Sequence, residues 1–169
     1  AILHSVARRY GGPTQMHAIR QPSPPNYPAL TGASTHGIDR DCTDGTVPGT
    51  GLAGQLQAKS LSWKAYMEDM PASCFTGEAA GAYAKKHDPF VYYTGVSGNP
   101  ALCAKVVPFS TLAHDEGSNA LPAFTWITPN LCHDMHDCDP VTGDRFLART
   151  IPPLLRALGP RGLLLLTWD

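Results

Sequence analysis

The chain has 169 residues, of which 43% are hydrophobic and 16% are charged, and its formal net charge is −1. At roughly 150 residues per domain, this length predicts a single domain with enough apolar side chains for a core. The small net charge excludes a general electrostatic surface for nucleic acid or an anionic membrane. The longest aliphatic run, Leu163 to Leu166, is far shorter than the ~20 apolar residues of a spanning helix. We therefore expect neither a membrane-spanning protein nor a disordered chain.

The cysteine content predicts disulfide bonds and an exported protein. The five cysteines are Cys42, Cys74, Cys103, Cys132 and Cys138. A local disulfide between the last two is favoured over a Cys/His zinc site, because no C-x-x-C pair occurs. The fifth cysteine is then a free thiol or pairs outside the chain. A secreted, periplasmic or extracellular location suits this content. No signal peptide is visible at the start, so it has been removed or the chain is a fragment.

Helix and strand patterns alternate along the chain. The predicted helices cover residues 2–10, 26–32, 50–59 and 144–158, with a short one at 79–86. The predicted strands cover residues 14–20, 62–67, 121–128 and 162–168. Pro152 and Pro153 require a kink or break in the last helix. The final strand is a continuous apolar run, as at the centre of a parallel sheet. The sequence therefore predicts an α/β fold.

A proline-rich turn contains the first candidate for chemistry. Ser23 lies in the segment QPSPPNY, immediately before a predicted helix. A hydroxyl held there can meet free backbone N–H groups, an arrangement that suits attack on phosphorus. Asn26 could then donate a hydrogen bond to a phosphoryl oxygen. The residues alone nevertheless favour a simple turn residue at Ser23.

The segment from Asn130 to Cys138 is the second candidate. It contains Asn130, Asp134 and His136 after a predicted strand, a donor set that suits a divalent ion. A polar loop stabilised by its own turn hydrogen bonds explains the same residues equally well. Asp169 follows the last predicted strand, where α/β sheets place metal ligands or bases.

Three further side chains could bind phosphate charge: His36, Lys64 and His87. Taken alone, each is more simply a surface or loop residue.

Several ordered segments together resemble one family. They read PSPPNYPALTGASTHGI, LSWKAYMEDMP, KHDPFVYY, LPAFTWITPNLCHDMHDC, TGDRFL and LLLLTWD. In this order they are similar to the bacterial phosphoesterase family of acid phosphatases and non-specific phospholipases C. That family belongs to the alkaline-phosphatase-like superfamily. The resemblance extends from about residue 10 to residue 169, and it implies a three-layer α/β sandwich with a mainly parallel sheet.

The resemblance also implies metal-assisted hydrolysis of phosphate esters or phospholipids. Ser23 falls where the superfamily has its nucleophile, with Asn26 beside the phosphoryl oxygens. Asp169 matches the Asp of a T-W-D-E segment that binds metal. Asn130, Asp134 and His136 match a loop whose superfamily counterpart supplies metal ligands. His36, Lys64 and His87 are implied only as substrate-binding candidates.

The implied cofactor is a divalent metal ion. Oxygen-rich ligands favour Ca, Mg or Mn over Zn, and the ion would lower the pKa of the Ser23 hydroxyl. A phosphoseryl intermediate would follow.

The chain departs from the family pattern at both ends. No segment matches the family's first strand, which ends in an E-N-H-S-F-D-like sequence, and the T-W-D-E segment stops at Asp169. We expect residues 1–169 to be one incomplete domain that alone binds metal poorly and hydrolyses little. An inactive phosphate- or headgroup-binding module, or a disulfide-stabilised structural domain, are the alternatives.

Overall fold

The computed structural model describes residues 2–118 and 120–169. The α-helices are α1 (Ile2–Tyr10), α2 (Asn26–Gly32), α3 (Gly51–Ala58), α4 (Thr94–Ser97), α5 (Pro100–Cys103), α6 (Leu112–Gly117) and α7 (Pro140–Leu158). The strands are β1 (Trp63–Met67), β2 (Ala79–Ala80), β3 (Tyr83–Ala84), β4 (Val106–Pro108) and β5 (Phe124–Thr128). Short 3₁₀ turns cover Lys85–His87, Phe90–Tyr92 and Phe109–Thr111.

The central sheet has three parallel strands in the order β4-β1-β5. In β1, Ala65 is paired with Val106 on one side and Trp126 on the other. Because the strands are parallel, their carboxyl ends lie at one edge, and the segments after Met67 and Thr128 begin there. This edge is where open α/β sheets place their sites.

Both faces of the sheet are covered. Trp63, Ala65 and Met67 pack into the larger core with Phe90 and Val96, as expected from the alternation of side chains along a strand. Tyr66 points to the other face and packs with Leu112 of α6 and Leu154 of α7. The protein is therefore an α/β sandwich with a parallel sheet flanked by helices, as predicted.

Most of the strongly patterned elements are confirmed within a few residues. These are the helices predicted at 2–10, 26–32, 50–59 and 144–158 and the strands at 62–67 and 121–128. Of the kink or break predicted at Pro152 and Pro153, the break is wrong, because both prolines lie inside α7. Its buried residues Phe146, Ile151 and Leu154 continue across the prolines, and this tertiary packing outweighs the local preference.

Three element predictions are wrong. Residues 14–20 are exposed and form bends instead of a strand. Residues 79–86 form the β2–β3 hairpin followed by a 3₁₀ turn, because Gly81 (φ +57°) turns the chain and Tyr83 is buried. Residues 162–168 form no strand, and Leu163 and Leu165 are 76% and 80% exposed. An apolar run becomes a strand only with a neighbour to pair with, and within the described chain this run has none.

Two disulfides link Cys74 to Cys103 and Cys132 to Cys138, and Cys42 is a buried free thiol. The preference for disulfides over zinc is thus confirmed. No helix within residues 2–118 and 120–169 has the length and apolar character needed to cross a membrane.

Candidate functional site at the carboxyl edge of the sheet

The buried Asn26 organises the turn that carries Ser23. Its Oδ1 accepts hydrogen bonds from the backbone N–H groups of Ile19 (2.9 Å) and Arg20 (3.2 Å). Its Nδ2 donates to the carbonyl oxygens of Arg20 (2.9 Å) and Ser23 (3.3 Å). The amide expected to meet a phosphoryl oxygen is thus engaged with the protein, and its direct effect is to fix the Ser23 turn.

Asp169 reaches the same turn from the other end of the chain. Asn26 Nδ2 lies 3.4 Å from Asp169 Oδ2, across a sequence separation of 143 residues. The carbonyl of Ser23 and the carboxylate of Asp169 therefore contact one nitrogen. The predicted nucleophile segment and the predicted acid come together, although the segment before Asp169 is not a strand.

The loop between Asn130 and Cys138 is fixed by side-chain hydrogen bonds and a disulfide. The Oδ1 atom of Asn130 accepts from the N–H groups of Cys132 (3.1 Å) and His133 (2.8 Å). Its Nδ2 donates to Asp69 Oδ2 at 2.8 Å, just beyond β1. Both the oxygen and the nitrogen of the amide thus have protein partners, which describes a turn residue.

Glu68, the first residue after β1, joins this loop to the sheet. Its Oε2 accepts from the Asn130 N–H at 2.9 Å, and its carboxylate lies 2.9 Å from His133 Nδ1. The His133 ring stacks on Phe146 of α7, with ring centroids 4.8 Å apart. The sequence analysis placed His133 inside the candidate donor segment but gave no role to His133 or to Glu68. The feature of the sequence that could have identified Glu68 is its position directly after a central strand.

The buried His87 and the partly buried Asp134 form a pair that links the loop to the segment after Ser23. His87 Nδ1 is 2.9 Å from Asp134 Oδ2, and His87 is 4% exposed. Tyr27, four residues after Ser23, stacks on the His87 ring with centroids 5.0 Å apart and planes 13° apart. Burial raises the pKa of Tyr27, and the negative charges of Asp169 and Asp134 raise it further. The carboxylates of Asp169 and Asp134 therefore both raise the pKa of Tyr27.

His136 and Lys86 lie on the exposed side of the pair. The His136 backbone N–H donates to Asp134 Oδ1 at 2.8 Å, and its Nδ1 is 2.6 Å from Asp137 Oδ1. Lys86 Nζ is 3.3 Å from His136 Nε2, and the His87 and His136 rings meet edge to face at 5.6 Å. Sequence reasoning missed Lys86 and Tyr27 as members of this cluster, although each is the chain neighbour of a predicted residue.

Two predicted substrate-binding residues have other partners. Lys64 Nζ and the Tyr66 hydroxyl both donate to Asp115 Oδ2 at 2.6 Å. Burial opposes ionisation of Asp115, but these hydrogen bonds prevail and lower its pKa. Lys64 is the second residue of β1 and so lies toward the opposite edge of the sheet. The ring of His36, the other predicted substrate-binding residue, packs edge-on against Tyr93 (5.9 Å) beyond the far end of α2.

The predicted metal ligands do not form a metal centre by themselves. Within the described ranges, no group of three or more His, Cys, Asp or Glu side chains could hold a metal ion. Asn130, Asp134 and His136 all bond to protein groups, and Asp169 contacts Asn26 instead of joining them. The residues present therefore do not fit a complete metal site.

The fold and this polar cluster define an α/β protein with a candidate site at the carboxyl ends of parallel strands. The sequence pattern of the Phosphoesterase family matches residues 1–169, and the chain belongs to this family. Over 165 residues it is 32% identical to a phosphate-repressible acid phosphatase of Penicillium chrysogenum, covering 92% of this chain and 40% of that protein.

Two other relatives show a similar level of identity and a similarly partial coverage. A phosphatidylinositol-3-phosphatase of Mycobacterium tuberculosis is 32% identical over 172 residues, covering 99% of this chain and 55% of its own length. An acid phosphatase of Aspergillus fumigatus is 31% identical over 151 residues, with coverages of 84% and 34%. The chain thus spans between about a third and just over half of the length of these relatives.

Proposed function

We propose that this chain forms part of a phosphate ester hydrolase in which Ser23 is the nucleophile. Membership of the Phosphoesterase family and relatives named as phosphatases support this proposal. The observation that carries it is the shared contact of Asn26 Nδ2 with the Ser23 carbonyl and the Asp169 carboxylate. This contact joins two segments that sequence reasoning selected independently.

The reaction is a double displacement. The Ser23 oxygen attacks phosphorus, its O–P bond forms as the bond between phosphorus and the ester oxygen breaks, and the proton lost by the Ser23 hydroxyl ends on the released alcohol. Water then cleaves the phosphoserine and releases inorganic phosphate. A serine hydroxyl is a weak nucleophile at its ordinary pKa, so its placement matters, and the four hydrogen bonds of Asn26 supply that placement by fixing the turn.

The proposed substrate class is phosphate esters of the kind that phosphatases cleave, including phosphorylated lipid headgroups. The names of the relatives, acid phosphatase and phosphatidylinositol-3-phosphatase, support this choice over a phospholipase C reaction. Comparing release of inorganic phosphate with release of diacylglycerol from phospholipid vesicles separates the two activities.

Replacement of Ser23 tests the nucleophile. In the complete gene product, Ser23→Ala should lower kcat for a chromogenic phosphate ester by at least about 1,000-fold. Ser73→Ala, an exposed turn serine, serves as the matched control and should retain full turnover. Acid quenching of the parent protein with substrate should trap a phosphorylated peptide containing Ser23. A Ser23→Ala variant with more than about a tenth of parental turnover would contradict the proposal.

The same variant separates an enzyme from a phosphate-binding module. An enzyme loses turnover when Ser23 is replaced but still binds inorganic phosphate, as measured by calorimetry. A parent protein that binds phosphate and hydrolyses no ester would establish the binding module instead.

Metal dependence is a separate proposal with its own test. Chelator-treated complete protein should regain turnover on addition of Ca, Mg, Mn or Zn, and Asp169→Asn should lower the metal content measured by mass spectrometry. Full turnover in the presence of chelator would refute the proposal.

We also propose an oxidising location, secreted or periplasmic, because two disulfides are rarely kept in a reducing cytosol. Alkylation of the protein isolated from its native compartment and then unfolded should modify only Cys42 of these five cysteines before reduction and all five after it.

A further inference from the structure

The His87 ring is held on three sides, but one of its nitrogens has no partner. Asp134 contacts Nδ1 at 2.9 Å, Tyr27 covers one ring face, and His136 meets the ring edge to face. The remaining nitrogen, Nε2, is buried, and no hydrogen-bond partner for it occurs among the described residues. A buried polar atom without a partner costs about 1–3 kcal/mol, so its presence in a held ring indicates a position that a ligand completes.

Both oxygens of the Asp134 carboxylate contact protein groups. Its Oδ1 accepts the backbone N–H of His136 at 2.8 Å, and its Oδ2 faces His87 Nδ1. A carboxylate accepts hydrogen bonds, so Nδ1 carries a proton, and Nε2 is the nitrogen that remains for a ligand. The contact therefore fixes both the orientation of the ring and the position of its proton.

His87 also lies beside the Ser23 turn. The Tyr27 ring that stacks on it belongs to α2, which begins three residues after Ser23. Tyr27 thus joins the Ser23 turn to the cluster that contains His87.

We infer that Asp134 is a positioning residue for His87, instead of a metal ligand. It keeps the ring proton on Nδ1, so that Nε2 can accept the proton of the water molecule that cleaves the phosphoryl group from Ser23. The role in turnover rests on the proposed function, whereas the proton position on His87 does not. The two can therefore fail separately.

The substitution Asp134→Asn makes a sharp prediction because of the geometry at Asp134. The side-chain oxygen of asparagine must accept the fixed N–H of His136, which places the NH₂ group opposite His87 Nδ1. Nδ1 must then accept a hydrogen bond, and the ring proton moves to Nε2. A metal-ligand role predicts no such change of tautomer.

Nitrogen NMR of the complete gene product with ¹⁵N-labelled histidine measures this directly, with the His87 signals assigned by their loss in His87→Asn. We expect a proton on Nδ1 in the parent protein and on Nε2 in Asp134→Asn, with the content of bound divalent metal unchanged. Asp137→Asn, the same substitution at the Asp that contacts His136 Nδ1, should leave the His87 signals unchanged. Addition of inorganic phosphate should shift the parent Nε2 signal.

Turnover provides a second readout. Asp134→Asn should lower kcat for the chromogenic ester about 100-fold and change KM less than about threefold, because the residue acts through His87.

Three results would overturn the inference. The first is an unprotonated Nδ1 in the parent protein, which needs no folded variant. The second is loss of bound metal in Asp134→Asn with the His87 tautomer retained. The third is a parent Nε2 signal that phosphate does not move. A parent protein without turnover would instead refute the proposed function and leave the tautomer test intact.

Discussion

Two buried asparagines, Asn26 and Asn130, make similar hydrogen bonds but have different structural roles. In each, Oδ1 accepts two backbone N–H groups and Nδ2 contacts an aspartate, Asp169 for Asn26 and Asp69 for Asn130. The contact to Asp69 is 2.8 Å and the contact to Asp169 is 3.4 Å.

The surroundings of the two asparagines differ more than their own bonds. The loop at Asn130 is also closed by the Cys132–Cys138 disulfide and by Glu68. At the Asn26 turn, residues 17–21 are exposed, and the described contacts that close the turn come chiefly from Asn26 itself. The comparison indicates that several independent contacts hold the 130–138 loop in place, whereas the conformation of the Ser23 turn depends chiefly on Asn26.

The largest expected effect follows from replacing Asn26. Asn26→Ala removes the bonds that place Ser23, so turnover should fall at least about 100-fold. The free energy of unfolding should fall by only about 1 kcal/mol, because water can reach the freed N–H groups of Ile19 and Arg20. Kinetics and denaturant unfolding of the same variant measure both.

A second variant at this position sharpens the test. Asn26→Asp keeps the acceptor for the two N–H groups but places a negative oxygen toward the Ser23 carbonyl and Asp169. It should lose nearly as much turnover as the alanine variant. Parental turnover in either variant would remove Asn26 from its proposed role.

Replacing Asn130 should give the reverse pattern. Asn130→Ala leaves the N–H groups of Cys132 and His133 and the carboxylate of Asp69 without their partner, so the free energy of unfolding should fall by about 2–3 kcal/mol. Turnover of the folded fraction should fall less than in Asn26→Ala. The comparison fails if Asn130→Ala is the more stable and the less active of the two variants.

Opening the Cys132–Cys138 disulfide should have a smaller effect. The double substitution of both cysteines by serine releases a short loop, which lowers the free energy of unfolding by about 2 kcal/mol. Cys42→Ala changes a buried thiol without breaking a disulfide and is the control. A change below about 0.5 kcal/mol would mean that Asn130 and Glu68 hold the loop without help from the disulfide.

The sequence predicted those parts of the fold that depend on local pattern. β1, β5 and α7 have side-chain periodicity over five or more residues, and each was found. The strand predicted at 162–168 failed because burial of an apolar run depends on a neighbouring strand, which local pattern does not reveal. β4 has only three residues, too few for a periodic signal.

The candidate site was predictable as a set of segments and not as a set of contacts. Ser23, Asp169, His87 and Asp134 were all selected by the resemblance of their segments to a family, although the residues alone favoured simpler roles for Ser23 and His87. Their partners were not, since the pairing of Asp134 with His87 joins residues 47 positions apart. Lys64 was selected in the same way. Its charge suggested that it binds phosphate, but its position in β1 places it against Asp115.

The 130–138 loop and the Asn26 turn meet at His87. The pKa of the next residue, Asp88, reports how well this region is shielded from water. Asp88 is fully buried, and burial raises its pKa to about 7, although hydrogen bonds from the Phe90 N–H and the Tyr83 hydroxyl partly counteract this. In the unfolded chain the pKa is about 3.9. Between these values the folded state binds more protons, so the free energy of unfolding should fall as the pH rises, by up to about 1.4 kcal/mol per unit, until it levels off above pH 7.

Denaturant unfolding between pH 4 and 8 (a range set by these two values) measures the slope. Asp88→Asn should remove this part of the pH dependence, because its neutral amide does not titrate, whereas Asp39→Asn at an exposed position should preserve it. Parallel profiles for the parent and Asp88→Asn would show that water reaches Asp88 in the folded protein. The region beside His87, where the 130–138 loop meets the Asn26 turn, would then be open to water. The comparison of the two asparagines would no longer rest on a common buried contact.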